Sequence, residues 1–496
     1  MASALVAGLL SLVRQKLVAR YFGAGGATAA YVGAFQLPDM LMYLLVGGVG
    51  ATAFVTILSR YRERGDDAEG EHALSVILNT VLAVLVCAVV LGEVLAPQYV
   101  ALALPGFRAH PDQAALCVHL TRILLPGPLF FFAGGVFSSH LLVRKIFLYQ
   151  ALTPILYSGG IVAGAVLLHA RFGIDSLAIG AMAGAAIGSF GINVLGARRE
   201  GMRYRLVWSP RHPALREWLR LNLPLMLGAS LVTTDSWIRA YFASGAADSM
   251  AQLNFARQLF AAPMNILGPA AGAASLPFFA SLWARGDVAA FSEAVDRSVS
   301  RMIAVSLLVA GWMIALAPLL VDVTLRGEAF TAADAAATAW YFALFALALF
   351  LWTSQNLYAR AFYGAGNTLT PMLSGTAVTL LSIPMYGILF HRMGPVGLVW
   401  AANIGIAAHT LALAVLLHRK RMVSVAGLEF GELGRSLAAA LGGGAAIVGL
   451  RHVLPVPATH TASLLQIAAC SVLWAGVVLG VLLALRSRLP QALLRR

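Results

Sequence analysis

Three features of the sequence predict an all-α polytopic membrane protein of about 14 transmembrane helices: its composition, a succession of long apolar stretches, and a basic bias that alternates from turn to turn. Of 496 residues, 60% are hydrophobic and 11% charged, and the mean hydropathy is +0.81. Soluble domains hold about 45–50% apolar and about 25% charged residues. The net charge of +14 does not point to nucleic acid, because the arginines sit in short turns between apolar runs instead of on a solvated face. Cys87, Cys117 and Cys470 are isolated, with no CxxC pair and no histidine at metal-ligand spacing, so all three are expected to be packing residues.

A membrane helix needs about 20 mostly apolar residues, and the chain is read in that unit. The apolar part of the first helix, 2–13, is too short alone, so a span over 2–21 must run through Arg14 and Lys16 toward Arg20. Either these charges line a wet cavity, or the start is late and has clipped the helix. A signal peptide is not expected, because the basic residues follow the apolar run. A glycine-rich elbow, GAGGA, leads to helix 2 (32–58), which carries Pro38-Asp39 and ends in the basic turn Arg60/Arg62/Arg64. Helices 3 to 6 are expected at 73–95, 115–141, 148–168 and 177–197, with Arg122 near the start of the fourth. Helices 7 and 8, at 215–243 and 250–282, contain Asp235 and Arg257. Helices 9 to 12 follow at 298–325, 335–362, 369–390 and 396–417, and an additional pair at 431–453 and 462–485 closes the chain.

Internal repetition organises these helices into lobes. Much of the order in 8–66 returns in 241–287; RGD at 64–66 recurs at 285–287, and LTPIL at 152–156 recurs as LTPML at 369–373. An even number of helices separates the copies, so the lobes point the same way and are expected to be related by an axis along the membrane normal, around a cavity that opens alternately to either side. The expected division is an N-terminal lobe at 1–213 (helices 1–6), a C-terminal lobe at 214–421 (helices 7–12) and the added pair at 422–496. Arginine-rich turns alternate with turns holding single basic residues, which by the positive-inside rule puts both termini in the cytoplasm.

Enzyme motifs are missing. There is no GxxxxGK[ST], HExxH or GxSxG, and GAGGA follows an apolar helix, not a strand, so it reads as a tight turn. No enzyme and no cofactor is expected, and uphill work is left to a monovalent-cation gradient or the membrane potential. The informative residues are charges inside apolar spans, which are costly there and usually face a cavity: Arg14, Lys16, Asp39, Arg122, Asp235 and Arg257. Asp235 is expected to bind a coupling cation or to pair with a nearby arginine, while His140 and His409 read as packing or interface residues. A cavity rich in arginine suits an anion, since guanidinium groups bind phosphate in bidentate fashion, and a lipid diphosphate is the membrane substrate that most needs a polar passage.

The runs ARYFGAGGATAAYVGAFQLPDML (19–41), ALPGF (103–107), LTRILLP (120–126), RGEAFTAADA (326–335) and AFYGAGNTLTP (361–371) together resemble the MurJ (MviN) family. These are the lipid II flippases of peptidoglycan synthesis, within the multidrug/oligosaccharidyl-lipid/polysaccharide exporter superfamily. The resemblance covers almost the whole chain and implies a groove on the final helix pair. It also implies cavity arginines on helices 1, 2 and 8. Arg14 matches one of the helix 1 pair; the other falls at Gly8, the acidic neighbour at Gln15, the helix 2 arginine region at Met42-Tyr43, and the helix 8 arginine at Gln258, with Arg257 beside it. Asp235 aligns with a helix 7 carboxylate that serves a cation site in some relatives, and Ser382 and Tyr386 stand near its partners' positions.

The expectation is therefore a divergent family member in the bacterial inner membrane that moves an undecaprenyl-diphosphate-linked saccharide, lipid II first, with membrane lipids and cell-wall synthesis machinery as partners. The alternatives are a polysaccharide-repeat flippase or a cation-coupled drug exporter of the same superfamily and, from another class, a non-transporting membrane scaffold. A glycosyltransferase would need a carboxylate or metal site in a large loop, and the longest loops lack one.

Overall fold

The computed structural model describes residues 2–46, 50–455, 457 and 459–494, and every regular element among them is helical. Chain contacts divide them into two compact units, one running to Ala251 and including Gly327–Phe330, the other comprising Gln252–Arg326 and Thr331–Arg496.

The first unit holds α1 (Ala2–Phe22), α2 (Gly26–Ala34), α3 (Gln36–Val46), α4 (Gly50–Glu63), α5 (Asp67–Ala103), α6 (Pro111–Leu124), α7 (Gly127–Val143), α8 (Leu148–Leu167), α9 (His169–Phe172), α10 (Asp175–Gly184), α11 (Ile192–Arg199) and α12 (Pro213–Ala243). The start of α13 (Ala247–Ala284) also belongs to it. The rest of α13 leads the second unit, followed by α14 (Val288–Leu325), α15 (Ala332–Leu347), α16 (Leu349–Gly364), α17 (Leu369–Met393), α18 (Pro395–Arg419), α19 (Phe430–Val453), α20 (His460–Ala484) and α21 (Leu489–Leu494).

Several expected spans appear nearly as read, including α8, α17, α18 and the added pair α19 and α20. By length and composition, nine helices among the described residues can cross a membrane, or ten if α15 and α16, bent by 42° at Ala348, form one span. The first helix is continuous through Arg14, Lys16 and Arg20. The second expected span is instead interrupted at Phe35, where α2 ends at Ala34 and α3 begins at Gln36; residues 47–49, between α3 and α4, lie outside the described residues. Pro38 has no N–H to donate and stands in the first turn of α3, where that donor would have no partner within the helix.

The repeated RGD has a structural cause. Gly65 (φ +73°) and Gly286 (φ +72°) take the left-handed conformation that ends a helix, with Asp66 N donating to Tyr61 O and Asp287 N to Leu282 O. The aspartate then caps the next helix: Asp66 Oδ1 accepts from Glu69 N, and Asp287 Oδ1 from Ala290 N. Each RGD therefore joins a basic turn to a helix of 37 or 38 residues, α5 or α14.

Packing within the first unit rests on two devices. Phe54, Phe132 and Trp218 form an aromatic core between α4, α7 and α12. Elsewhere α8 and α10 meet through glycines: a Cβ on Gly180 would lie 2.5 Å from Gly160 O, and one on Gly184 would lie 2.6 Å from Tyr157 O. Such small-residue contacts bring backbones together where lipid supplies no hydrophobic drive. The segment after α11 is an ordered strap along α5, where Asn79 Nδ2 donates to Arg205 O and Val207 O, and Arg205 N donates to Ser75 Oγ. In the second unit, Phe279, Phe291, Tyr358 and Phe362 form a core, and α14 carries α19 and α20 through Leu308, Ala440 and Val478. Cys117 and Cys470 are buried as expected, whereas Cys87 is exposed on the apolar flank of α5 beside Val84 and Val86, so it is not a packing residue.

Candidate functional site

Arg14 lies midway along α1 and is half-buried; its Nη2 reaches Ser11 Oγ at 3.5 Å. The α1 helix packs against α8, which carries Tyr157, and touches α2, which carries Tyr31. Asp39 is exposed in the first turn of α3. Tyr157 is not distinguished in the sequence, because only the packing of α8 on α1 brings it to a helix more than a hundred positions earlier. Arg14 can offer a planar pair of donors to an oxyanion, and a tyrosine hydroxyl beside it can donate a further hydrogen bond.

The other expected residues separate. Lys16 is half-buried but stands about 200° around the helix from Arg14, since each residue turns the helix by about 100°. It shares a side with Arg20, whose Nη2 pairs with Glu328 at 3.3 Å. There Gly327–Phe330 of the RGEAF run close over the GAGGA elbow, with Ala329 N donating to Arg20 O at 3.1 Å. A Cβ on Gly23 would lie 2.3 Å from Ala329 O, so two of the stretches that carry the resemblance meet. Arg122 lines a different cleft, between α5 and α6, that includes none of Arg14, Lys16 and Asp39. Asp235 pairs with Arg239 one helical turn on, Oδ2 to Nη1 at 3.5 Å.

In the second unit, the Arg257 guanidinium is boxed by aromatic faces, 4.7 Å from the Trp352 ring centre, 5.6 Å from Phe345 and 5.8 Å from Phe260. Such cation–π contacts offset part of the cost of holding the charge away from water. Gln258 Nε2 donates to Asn254 Oδ1 at 2.6 Å, one turn earlier on α13. Ser382 and Tyr386 are buried on α17.

Helical throughout its regular elements among the described residues, with nine stretches able to cross a membrane, the chain has the architecture of a multi-pass membrane protein, and its family places it among transporters. The family described as "Lipid II flippase MurJ" matches residues 18–468, and the chain belongs to that family. Among its relatives, "Lipid II flippase MurJ" of Burkholderia cenocepacia is 25% identical, the match covering 96% of this chain and 94% of the relative. "Probable lipid II flippase MurJ" of Synechocystis sp. is 23% identical over 86% of this chain and 81% of the relative. The solved structure "Lipid II flippase MurJ, inward closed conformation" has the same fold, with a TM-score of 0.79 at 19% identity, covering 96% of this chain and 97% of that one. A multidrug resistance MATE family transporter of the MOP superfamily, in an inward-facing conformation, aligns with a TM-score of 0.67 at 17% identity, over 84% of this chain and 94% of that one; it shares the fold.

Proposed function

We propose that this chain is a flippase that carries lipid II, an undecaprenyl-diphosphate-linked saccharide, across the inner membrane by alternating access. It acts as a transporter and not as an enzyme. The observation that carries the reading is family membership over residues 18–468, joined to a half-buried arginine midway along α1, the helix that packs on α8. Arg14 engages the diphosphate, and Tyr31 and Tyr157 supply hydrogen bonds beside it. Arg257 with Gln258 is the corresponding anion-binding element of the second unit, its guanidinium oriented by Trp352 and Phe345. The prenyl tail stays in lipid along α19 and α20, whose apolar flanks include the exposed Leu441, Leu465 and Val472.

Both termini lie in the cytoplasm, a reading supported by the arginines at the exposed ends of α4 and α11. The lobes act as repeats at 1–213 and 214–421 with the helix pair 422–496 added, and a cation gradient or the membrane potential drives the cycle. Cell-wall synthesis enzymes that consume lipid II on the outer face are the expected partners. The test is complementation: expression of this chain should restore growth to a bacterium depleted of its own lipid II flippase. Failure to restore growth by a chain that inserts at normal levels would defeat the assignment.

A further inference from the structure

The cleft that holds Arg122 is built by a defect in α5. Pro97 has no N–H for the carbonyl of Glu93 four residues earlier, so that oxygen would be left without a partner in the helix. Arg122 Nε of α6 donates to it at 3.1 Å, with the Glu93 carboxylate 4.0 Å away. Near the end of the same helix the Ala101 carbonyl is also open, and Arg108 donates to it through Nε at 3.2 Å and Nη2 at 2.9 Å. Each arginine is thus anchored by part of its fork. Neither Nη of Arg122, nor Nη1 of Arg108, has a hydrogen-bond partner among the described residues.

These anchored guanidinium groups line an open cleft of about 460 Å³ whose other walls include Val100, Leu104, Phe107 and Val118. His119 stands at its edge, tied to Asp175 at 2.9 Å, and no carboxylate lines the cleft. At 1.5 Å per residue, α5 is about 55 Å long, well beyond the hydrocarbon thickness of about 30 Å, and its apolar stretch read at 73–95 ends before Pro97, which assigns the 97–104 end to headgroup level. Toward the bilayer centre the same helix exposes Val90, Leu91 and Val94. The cleft therefore offers a phosphate the Nη1 of Arg108 and the Nη groups of Arg122, whose Nε side faces Glu93, joined to an apolar flank for chains.

We propose that this cleft is a binding site for an anionic glycerophospholipid, whose phosphate is held between Arg108 and Arg122 while its acyl chains lie along α5. A soluble phosphate would not use the apolar walls, and a zwitterionic lipid would bring a cationic group among the arginines. Under the orientation proposed above, the site belongs to the outer leaflet.

Native mass spectrometry of the full chain, with phosphatidylglycerol, phosphatidylcholine and inorganic phosphate as separate probes, tests the site. Wild type should hold phosphatidylglycerol in preference to phosphatidylcholine, and inorganic phosphate should not displace it. Replacing both arginines (R108Q with R122Q) should weaken phosphatidylglycerol binding about tenfold or more, the scale of one lost charged hydrogen bond. Because both side chains also satisfy backbone carbonyls, the double variant can lose stability. Ala115→Trp, which fills the cleft from its exposed wall and leaves both anchors in place, should abolish the same adduct with the thermal midpoint unchanged. Undiminished phosphatidylglycerol binding in Ala115→Trp, or in a folded double variant, would overturn the proposal, as would equal retention of phosphatidylcholine or full displacement by inorganic phosphate.

Discussion

Asp235 is the residue whose surroundings decide most between two readings, coupling carboxylate or half of an ion pair. Its partner Arg239 lies at 3.5 Å, and the side chains are 31% and 19% exposed, so the pair is neither solvated nor sealed. Exposed ion pairs contribute about 0–1 kcal/mol, and removing one member of a buried pair costs about 3–5 kcal/mol. This half-buried pair falls between, and Asp235→Asn should destabilise the protein by about 1–3 kcal/mol, mostly because Arg239 loses its counter-charge. Arg239→Gln should cost a similar amount, and the double substitution should cost less than the sum of the two by about 1–2 kcal/mol, since no lone charge remains. Thermal midpoints of the four proteins in one detergent read the coupling directly. The same variants in proteoliposomes should keep the wild-type response to sodium and proton gradients. Strictly additive midpoints, or a cation dependence lost in Asp235→Asn and not regained in the double variant, would refute the ion-pair account and restore Asp235 as a coupling site.

Three further outcomes follow from the packing. Gly180→Leu should unfold or markedly weaken the α8–α10 contact, costing about 1–3 kcal/mol or more, whereas Gly159→Ala, whose nearest neighbour would be Leu10 at 3.8 Å, should be tolerated; melting curves separate them. Asp66→Ala and Asp287→Ala should each cost about 1 kcal/mol through loss of a helix cap, and equal, independent effects on the thermal midpoint would mark the two RGD turns as equivalent. In a background with Cys87→Ser, a cysteine introduced at the exposed Arg64 should be shielded from impermeant thiol reagents in intact cells and one at the exposed His110 should react. The reverse pattern would invert the topology.

Much of the fold is legible in the sequence because membrane helices are specified by local composition. The spans read at 148–168 and 369–390 lie within a few residues of α8 and α17, and α1 is helical through its charges but is not among the nine stretches apolar enough to cross a membrane. RGD was legible as a repeat but not as a glycine stop followed by an aspartate cap, which needs backbone angles. The break in the second span was less visible, because Pro38 marks a weak point without saying whether the chain kinks or restarts. At the site, Arg14 and Asp39 were found through the cost of charge in apolar surroundings. Tyr157, Phe345 and Trp352 were not, since nothing local distinguishes a tyrosine beside a distant arginine, or rings that will cover one, from ordinary packing. Arg122 carried the same local signal as Arg14, yet a carbonyl freed by Pro97 draws it to another place.

The most direct measurement of the central claim is flipping of fluorescent lipid II in vesicles reconstituted with the wild-type chain, Arg14→Ala and Arg14→Lys at matched protein density. A charged hydrogen bond from arginine to phosphate contributes about 1.5–3 kcal/mol, so Arg14→Ala should weaken lipid II binding about tenfold to a hundredfold and slow flipping with it. Lysine keeps the charge and loses the planar fork, and should fall between. Wild-type vesicles that do not flip lipid II, or an alanine variant that binds and flips as the wild type does, would contradict the account.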